Sequence, residues 1–273
     1  MPDPSLYWFV NYRKIKKMPT ITVVTVCFNA EEYIEQTIKS VLEQKNVAIE
    51  YIIIDGGSSD TTLDIIKRYE PSIDRYISES DKGIADAMNK GVALATGDYV
   101  LFLHADDYLY SDDALKMAVP YLKGQKDIYI FDTIFSMKKG NLRRHSGSFG
   151  RRTLFKGICH QGVLCRRDLL LRLGGFDESF KICMDYNFFM KAYLNSATAK
   201  YIGEVLSVMR DTGISSRQDW QSLKQRFLEE KRVHIENDSS WAMRIVYSIY
   251  WPIYLGYRKL LYVLKQPLNK ALE

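Results

Sequence analysis

Across residues 20–104 the chain alternates between short, nearly unbroken apolar runs and longer stretches whose apolar residues return every three or four positions. The runs are TITVVTVCF (20–28), EYIIID (50–55), the weaker RYISE (75–79) and DYVLFLH (98–104). Runs this rich in β-branched residues read as strands buried on both faces. Between them, Tyr33, Ile34, Thr37, Ile38, Val41 and Leu42 mark one helical face. Leu63, Ile65 and Ile66 mark a second, and Ile84, Ala87, Met88, Gly91 and Val92 a third. Strand–helix repetition at this spacing predicts right-handed βαβ units and a parallel sheet covered on both sides.

After residue 110 the pattern changes. A helix over 112–123 leads to the strand DIYIFDTIF, a turn at KKGN and a returning antiparallel segment. GVLCRR reads as a strand, DLLLRLGG as a helix, and MDYNFFMKAYLN as another helix. The fold class is therefore α/β, with a mixed sheet flanked by helices. No internal repeat or low-complexity linker interrupts it. The boundary falls near residue 235, at ENDSS, giving a basic aromatic segment (1–18), a main domain (19–235) and a cationic aromatic tail (236–273).

Composition adds bounds. At 273 residues, 47% hydrophobic and 26% charged, the chain has enough apolar matter for a sizeable core. The net charge of +5 is uneven: basic residues gather in YRKIKK and YRKLLYVLK, carboxylates at the predicted strand ends. That polarity suits an anionic ligand with an anionic surface nearby. The four cysteines, Cys27, Cys159, Cys165 and Cys183, form no CxxC pair. Cys159, His160, Cys165 and Cys183 are poorly spaced for zinc, so free thiols in a reducing cytosol are expected. SLYWFV precedes the basic run, the reverse of the secretory order.

The polar residues that end the strands carry the chemistry. They are Asn29 and Glu31; Asp55 with Gly56, Gly57 and Ser58; Glu79 and Asp81; and Asp106 and Asp107. Each cluster alone could be capping. Four on one edge exceed it, and open parallel sheets bind ligands beyond the carboxyl ends of their strands. A crevice so rich in carboxylates repels phosphate unless a hard divalent cation intervenes. Mg2+ or Mn2+ would neutralise Asp106 and Asp107 and keep positions open for diphosphate oxygens. The glycines after Asp55 make no GxGxxG, and there is no GxxxxGK[ST], so dinucleotide and P-loop readings are weak.

Four stretches in order, TVVTVCFNAEEYIEQTIKSVLEQ, IIIDGGSSDTT, SESDKGIADAMNKGVALATGDYVLFLHADD and GGFDESFKICMDYNFFMK, resemble family 2 glycosyltransferases of the GT-A fold. The resemblance covers residues 20–215 and is nearest to bacterial enzymes that build O-antigen and other surface polysaccharides. It implies that Asp106 faces the nucleotide ribose and that Asp107, with Asp106, holds the metal. Asp55 would accept a hydrogen bond from a uracil imide, with the backbone near Thr25, Phe28 and Asn29 bracketing the base and Glu31 touching the nucleoside. Asp81, Lys82 and Gly83 would line the nucleotide-sugar pocket, and Asp86 would reach it from the following helix. Ala85 stands where close relatives often carry an aromatic residue. Asp185 matches the general base of inverting members; the bland alternative is a helix cap. His160 and Gln161 resemble a segment near the active site that would bind the donor diphosphate or the acceptor, a structural histidine being the bland alternative. Ser215, Ser216 and Arg217 resemble a loop that closes on the donor and contacts its phosphates, an exposed loop being the alternative. The QxxRW signature of processive synthases is missing, which favours single-sugar transfer.

The implied activity is inverting, Mn2+- or Mg2+-dependent transfer from a UDP-linked donor. The implied acceptor is a lipid-linked (polyprenyl diphosphate) saccharide at the cytoplasmic face of the membrane, and no nucleic acid partner is expected. A sugar nucleotidyltransferase would carry a Gly-rich basic loop where this chain has CFNAEEY. A non-catalytic adaptor would lack the carboxylates at 106, 107 and 185.

In the tail, the longest uncharged run, Ile245–Tyr257, is only 13 residues and contains Pro252. A spanning helix needs about 20. Trp241, Tyr247, Tyr250, Trp251, Tyr254, Tyr257 and Tyr262 suit a lipid headgroup layer, and Arg244, Arg258, Lys259 and Lys265 suit anionic lipid. The expectation is a pair of interfacial helices broken near Pro252, with LYWFVNYRKIKK as a second contact. The competing occupants of the aromatic face are the main domain itself and a twin subunit in a homodimer.

Overall fold

All four apolar runs are strands in the computed structural model: β1 (Ile21–Cys27), β2 (Ile49–Asp55), β3 (Arg75–Ser78) and β4 (Tyr99–Phe102). The structure describes residues 18–137, 140–147, 149–150, 158–213, 216–217, 219–237 and 240–270. Helices α1 (Ile34–Leu42), α2 (Thr62–Arg68) and α3 (Ile84–Leu94) alternate with these strands. β1 pairs with β2 in parallel from Ile21↔Ile49 to Cys27↔Asp55, so both strands end at one level.

Every residue of β1 is buried. Val24 and Val26 belong to the core beneath α3, whereas Ile21, Val23 and Cys27 belong to the opposite core with α1. Two buried faces explain a continuous rather than alternating apolar run. Gly91 in α3 has no room for a side chain against Val24, which lets the helix lie close on the sheet.

The second half completes a mixed sheet. It contributes β5 (Tyr108–Leu109), α4 (Ala114–Leu122), β6 (Ile128–Met137), β7 (Gly140–Arg144) and β8 (Val163–Arg166). Then come α5 (Arg167–Arg172), α6 (Met184–Leu194) and β9 (Ala199–Arg210). The strand order is β3-β2-β1-β4-β8-β6-β9-β5, with β7 on β6. β8 runs antiparallel to β4 and β6, and β6–β7 is the expected antiparallel return. Pairing of β5 with β9, Tyr108 opposite Val208, carries the end of β9 to the aspartates that follow β4.

Two long helices follow, α7 (Trp220–Asn237) and α8 (Trp241–Lys270). The expected break at Pro252 does not occur: α8 is one helix. Proline removes one backbone donor, yet the helix continues through it, with packing contacts on both sides. Tyr247 and Trp251 on one side, and Tyr254, Leu255 and Tyr262 on the other, pack with Leu223 and Phe227 of α7. α7 in turn runs through position 235, with Val233 in the main core and His234 Nε2 2.9 Å from the Tyr186 hydroxyl.

The tail aromatics are therefore divided. Tyr247 and Trp251 are buried, while Trp241, Tyr250 and Tyr257 are exposed with Ile245, Ile249, Ile253 and Leu260. Among the described residues no helix is long and apolar enough to cross a membrane. The segment LYWFVNYRKIKK lies outside the described residues.

Candidate active site

Beyond the carboxyl ends of β1 and β4 lies a cavity of about 870 Å3. Its wall after β1 is Phe28, 62% exposed, and Asn29, whose φ of 48° is left-handed. Asparagine tolerates that region better than most residues. The loop is tied to the one after β2: Asn29 N–H donates to the Ser58 hydroxyl at 2.8 Å, and Ser59 N–H to Asn29 Oδ1 at 2.9 Å.

Three residues expected near the base, Thr25, Glu31 and Asp55, do not line the cavity. The Asp55 carboxylate is fully buried and accepts from the hydroxyls of Ser58 at 2.5 Å and Ser78 at 2.6 Å. Glu31 accepts from the Thr61 hydroxyl at 2.6 Å, and the Thr25 and Tyr51 hydroxyls lie 3.2 Å apart.

Asp81, Lys82 and Gly83 line the cavity as expected. Asp81 accepts the Gly83 N–H at 2.9 Å. Asp86 instead braces this loop from behind, accepting the Lys82 N–H at 3.0 Å and pairing with Lys90 at 3.3 Å.

The aspartates after β4 differ sharply. Asp106 is half-buried, and its Oδ2 accepts from the Thr212 hydroxyl at 2.7 Å. Asp107 is 1% exposed; its Oδ1 takes the Arg210 N–H at 3.2 Å, while its buried Oδ2 has no partner. Burial, and then the charge of Asp106, push the Asp107 carboxyl well above the usual range. A buried acid with one orphaned oxygen beside a second carboxylate fits a hard divalent cation. Among the described residues no group of three His, Cys, Asp or Glu side chains could hold a metal, so other positions would fall to ligand or water oxygens. Arg210 steadies the pair from the side, bonded to the Asp106 carbonyl and Gln36 and held between the rings of Tyr33 and Tyr108, at 4.9 and 4.8 Å.

A chain of polar contacts links this pair to α6. The His104 and His160 Nε2 atoms are 3.0 Å apart, and His160 Nδ1 is 3.0 Å from Asp185 Oδ2. Burial, and then His160, lower the His104 pKa well below its ordinary value, so its ring is neutral near pH 7. A hydrogen bond between the two Nε2 atoms holds one proton, and His160 Nδ1 can donate to the Asp185 carboxylate.

Asp185 sits in the first turn of α6, its Oδ1 accepting the Tyr186 N–H at 2.7 Å. The turn is capped from α7: the Glu229 carboxylate accepts the N–H groups of Lys181, Ile182 and Cys183 at 3.2, 2.8 and 2.9 Å. These donors precede the helix and would otherwise lack acceptors.

Arg217 lines the cavity and is exposed; Ser216 is described and Ser215 lies outside the described residues. The four cysteines are buried and free, with burial pushing Cys159 up to about 11. His104, Tyr33 and Arg210 are not among the site residues expected from the sequence. A histidine closing a buried strand was a usable signal for the first; nothing local marks Arg210, far along the chain from its partners.

Known proteins resemble this chain in sequence and fold. The model of "Glycosyl transferase family 2" matches residues 22–201. A PGL/p-HBAD biosynthesis glycosyltransferase of Mycobacterium bovis is 32% identical over 203 residues, covering 71% of this chain and 78% of its own. Chondroitin synthase of Escherichia coli is 28% identical over 65% of this chain but only 27% of its own. Among solved structures, TarS 1–349 of S. aureus with UDP-GlcNAc superposes with a TM-score of 0.66 at 20% identity, covering 82% of this chain and 69% of that one. The mannosyltransferase PcManGT of Pyrobaculum calidifontis, with GDP-Man and Mn2+, gives 0.63 at 21% identity, covering 90% and 74%. The mixed sheet is thus the GT-A sheet, and the chain belongs to glycosyl transferase family 2 and is a glycosyltransferase.

Proposed function

We propose that the enzyme transfers one sugar, with inversion, from a UDP-linked donor to a lipid-linked saccharide at the cytoplasmic face of a bacterial membrane, in surface polysaccharide assembly. One observation carries this reading: the Asp106–Asp107 pair, the Phe28–Asn29 loop and Asp185 share one cavity. TarS bound to UDP-GlcNAc and PcManGT bound to GDP-Man and Mn2+ support a nucleotide-sugar donor and a divalent cation.

Asp107 and Asp106 would hold Mn2+ or Mg2+, which supplies charge neutralisation for the departing diphosphate. Phe28 and Tyr33 offer aromatic faces to the base, and Asp81, Lys82 and Arg217 border the space for diphosphate and sugar. Asp185 removes the proton of an acceptor hydroxyl as that oxygen attacks the anomeric carbon. The new carbon–oxygen bond forms on the face opposite the one that breaks, so configuration inverts. His160, bonded to Oδ2, fixes the orientation of the carboxylate that receives the proton.

The exposed apolar face of α8, with Arg244, Arg258 and Lys259 on the same helix, supports peripheral attachment to anionic membrane. A twin subunit is the competing occupant. The donor reading is tested by thermal shift and hydrolysis across nucleotide sugars, with Mn2+ or Mg2+ and with EDTA. Stabilisation and slow hydrolysis should appear with a UDP-sugar and disappear in EDTA. A stronger response to GDP-sugars would overturn the UDP assignment, and full hydrolysis in EDTA the metal.

A further inference from the structure

At about 870 Å3 the cavity lies near the upper end of the roughly 300–1,000 Å3 of single-ligand pockets, which fits a space shared by two substrates. The wall formed by Phe28, Asn29 and Tyr33 is the nucleoside side of the reading above, on which this inference rests. The wall formed by α7 has no part in that reading. It presents two side chains, Arg226 and Glu230, one helical turn apart and therefore on one face.

This wall lies against the catalytic loop. The Cys183 thiol donates to the Arg226 carbonyl at 3.7 Å, and Glu229, between the two residues, caps the turn that carries Asp185. An acceptor hydroxyl presented to Asp185 therefore brings the rest of its sugar ring to this wall. We propose that Arg226 and Glu230 form the acceptor subsite and bind hydroxyls of the acceptor's terminal saccharide.

The chemistry of the pair selects that ligand class. The two side chains are 27% and 28% exposed and meet only loosely, Arg226 Nε to Glu230 Oε1 being 3.7 Å. Together they present donors and acceptors with no net charge, which matches a neutral diol. A phosphate group here would face the Glu230 carboxylate, which is in the cavity lining. A purely apolar acceptor would strip water from the pair and return no hydrogen bonds. Burial already pushes the Glu230 carboxyl up, against Arg226 and Arg258, so it gains from any hydroxyl that replaces lost water.

The test uses the full chain with saturating UDP and MnCl2, titrated with methyl β-glucoside, β-galactoside, N-acetyl-β-glucosaminide and α-rhamnoside by saturation-transfer NMR. Wild type should bind at least one. Glu230→Ala and Arg226→Ala should each weaken that glycoside ten-fold or more, and Glu230→Gln less, with UDP affinity kept within two-fold in Glu230→Gln as the check on folding. Unchanged glycoside affinity in the variants, no glycoside binding by UDP-loaded wild type, or an equal loss of UDP affinity in Glu230→Gln would overturn the subsite. UDP alone tests the donor reading separately: a wild-type protein that fails to bind it sinks that reading on its own.

Discussion

The Asp185 carboxylate has one oxygen against the Tyr186 N–H and the other against His160, and it is the proton acceptor proposed above. Asp185→Asn keeps the shape and removes the acceptor. Transfer should fall by about 10²-fold or more while UDP affinity measured by calorimetry stays within a few-fold. Parallel loss of both would mean that the residue is structural. NMR of the product checks the same step, because retained configuration excludes a single displacement. That Asp106, Asp107 and Asp185 line one cavity was legible because each sits in a short motif at the end of a strand or the start of a helix. The His104–His160 contact was not, since the partners are 56 residues apart and only strand order brings them together. The placement of Asp55 and Glu31 at strand ends was legible, but their hydrogen bonds with the Ser58, Ser78 and Thr61 hydroxyls depend on loop conformation.

Among the elements, β1 to β4 and their helices were readable because burial on both faces writes itself as unbroken apolar runs. The β6–β7 hairpin was readable from KKGN, but not the residue that locks it. Asp132, buried in β6, accepts from Arg143 Nε at 2.9 Å and the Tyr201 hydroxyl at 2.7 Å, and meets His145 Nδ1 at 2.8 Å. Burial alone would raise its pKa; the hydrogen bonds from Tyr201, Arg143 and His145 outweigh burial and hold it below the ordinary value. A folded pKa below the unfolded one gives stability that is present above the unfolded value, near 3.9, and lost as pH falls through the folded one. Asp132→Asn should therefore cost about 1–3 kcal/mol at pH 7. Urea unfolding should show that difference shrinking between about pH 5 and pH 3. A difference that does not change with pH would rule out the charged form as its source.

For the whole molecule, the tail's composition was legible and its path was not. Aromatic residues at helical spacing do not say which of them meets the main domain, and α8 turns Tyr247 and Trp251 inward while leaving Ile245, Ile249 and Ile253 outside. A chain truncated after Asn237 keeps α7 whole. It should no longer sediment with anionic liposomes, should melt at lower temperature because Leu223 and Phe227 lose their cover, and should still hydrolyse donor slowly. Sedimentation equal to that of the full chain would place the anchor elsewhere.

α7 has a further consequence, mechanical rather than adhesive. One side of it grips α8 through Leu223 and Phe227, and another grips the loop ahead of Asp185 through Glu229. A load applied to the tail would then reach the turn ahead of Asp185 through α7, and amide exchange at 181–183 should slow when liposomes bind. Unaltered exchange there would mean that α7 carries no load and that surface and turnover run independently.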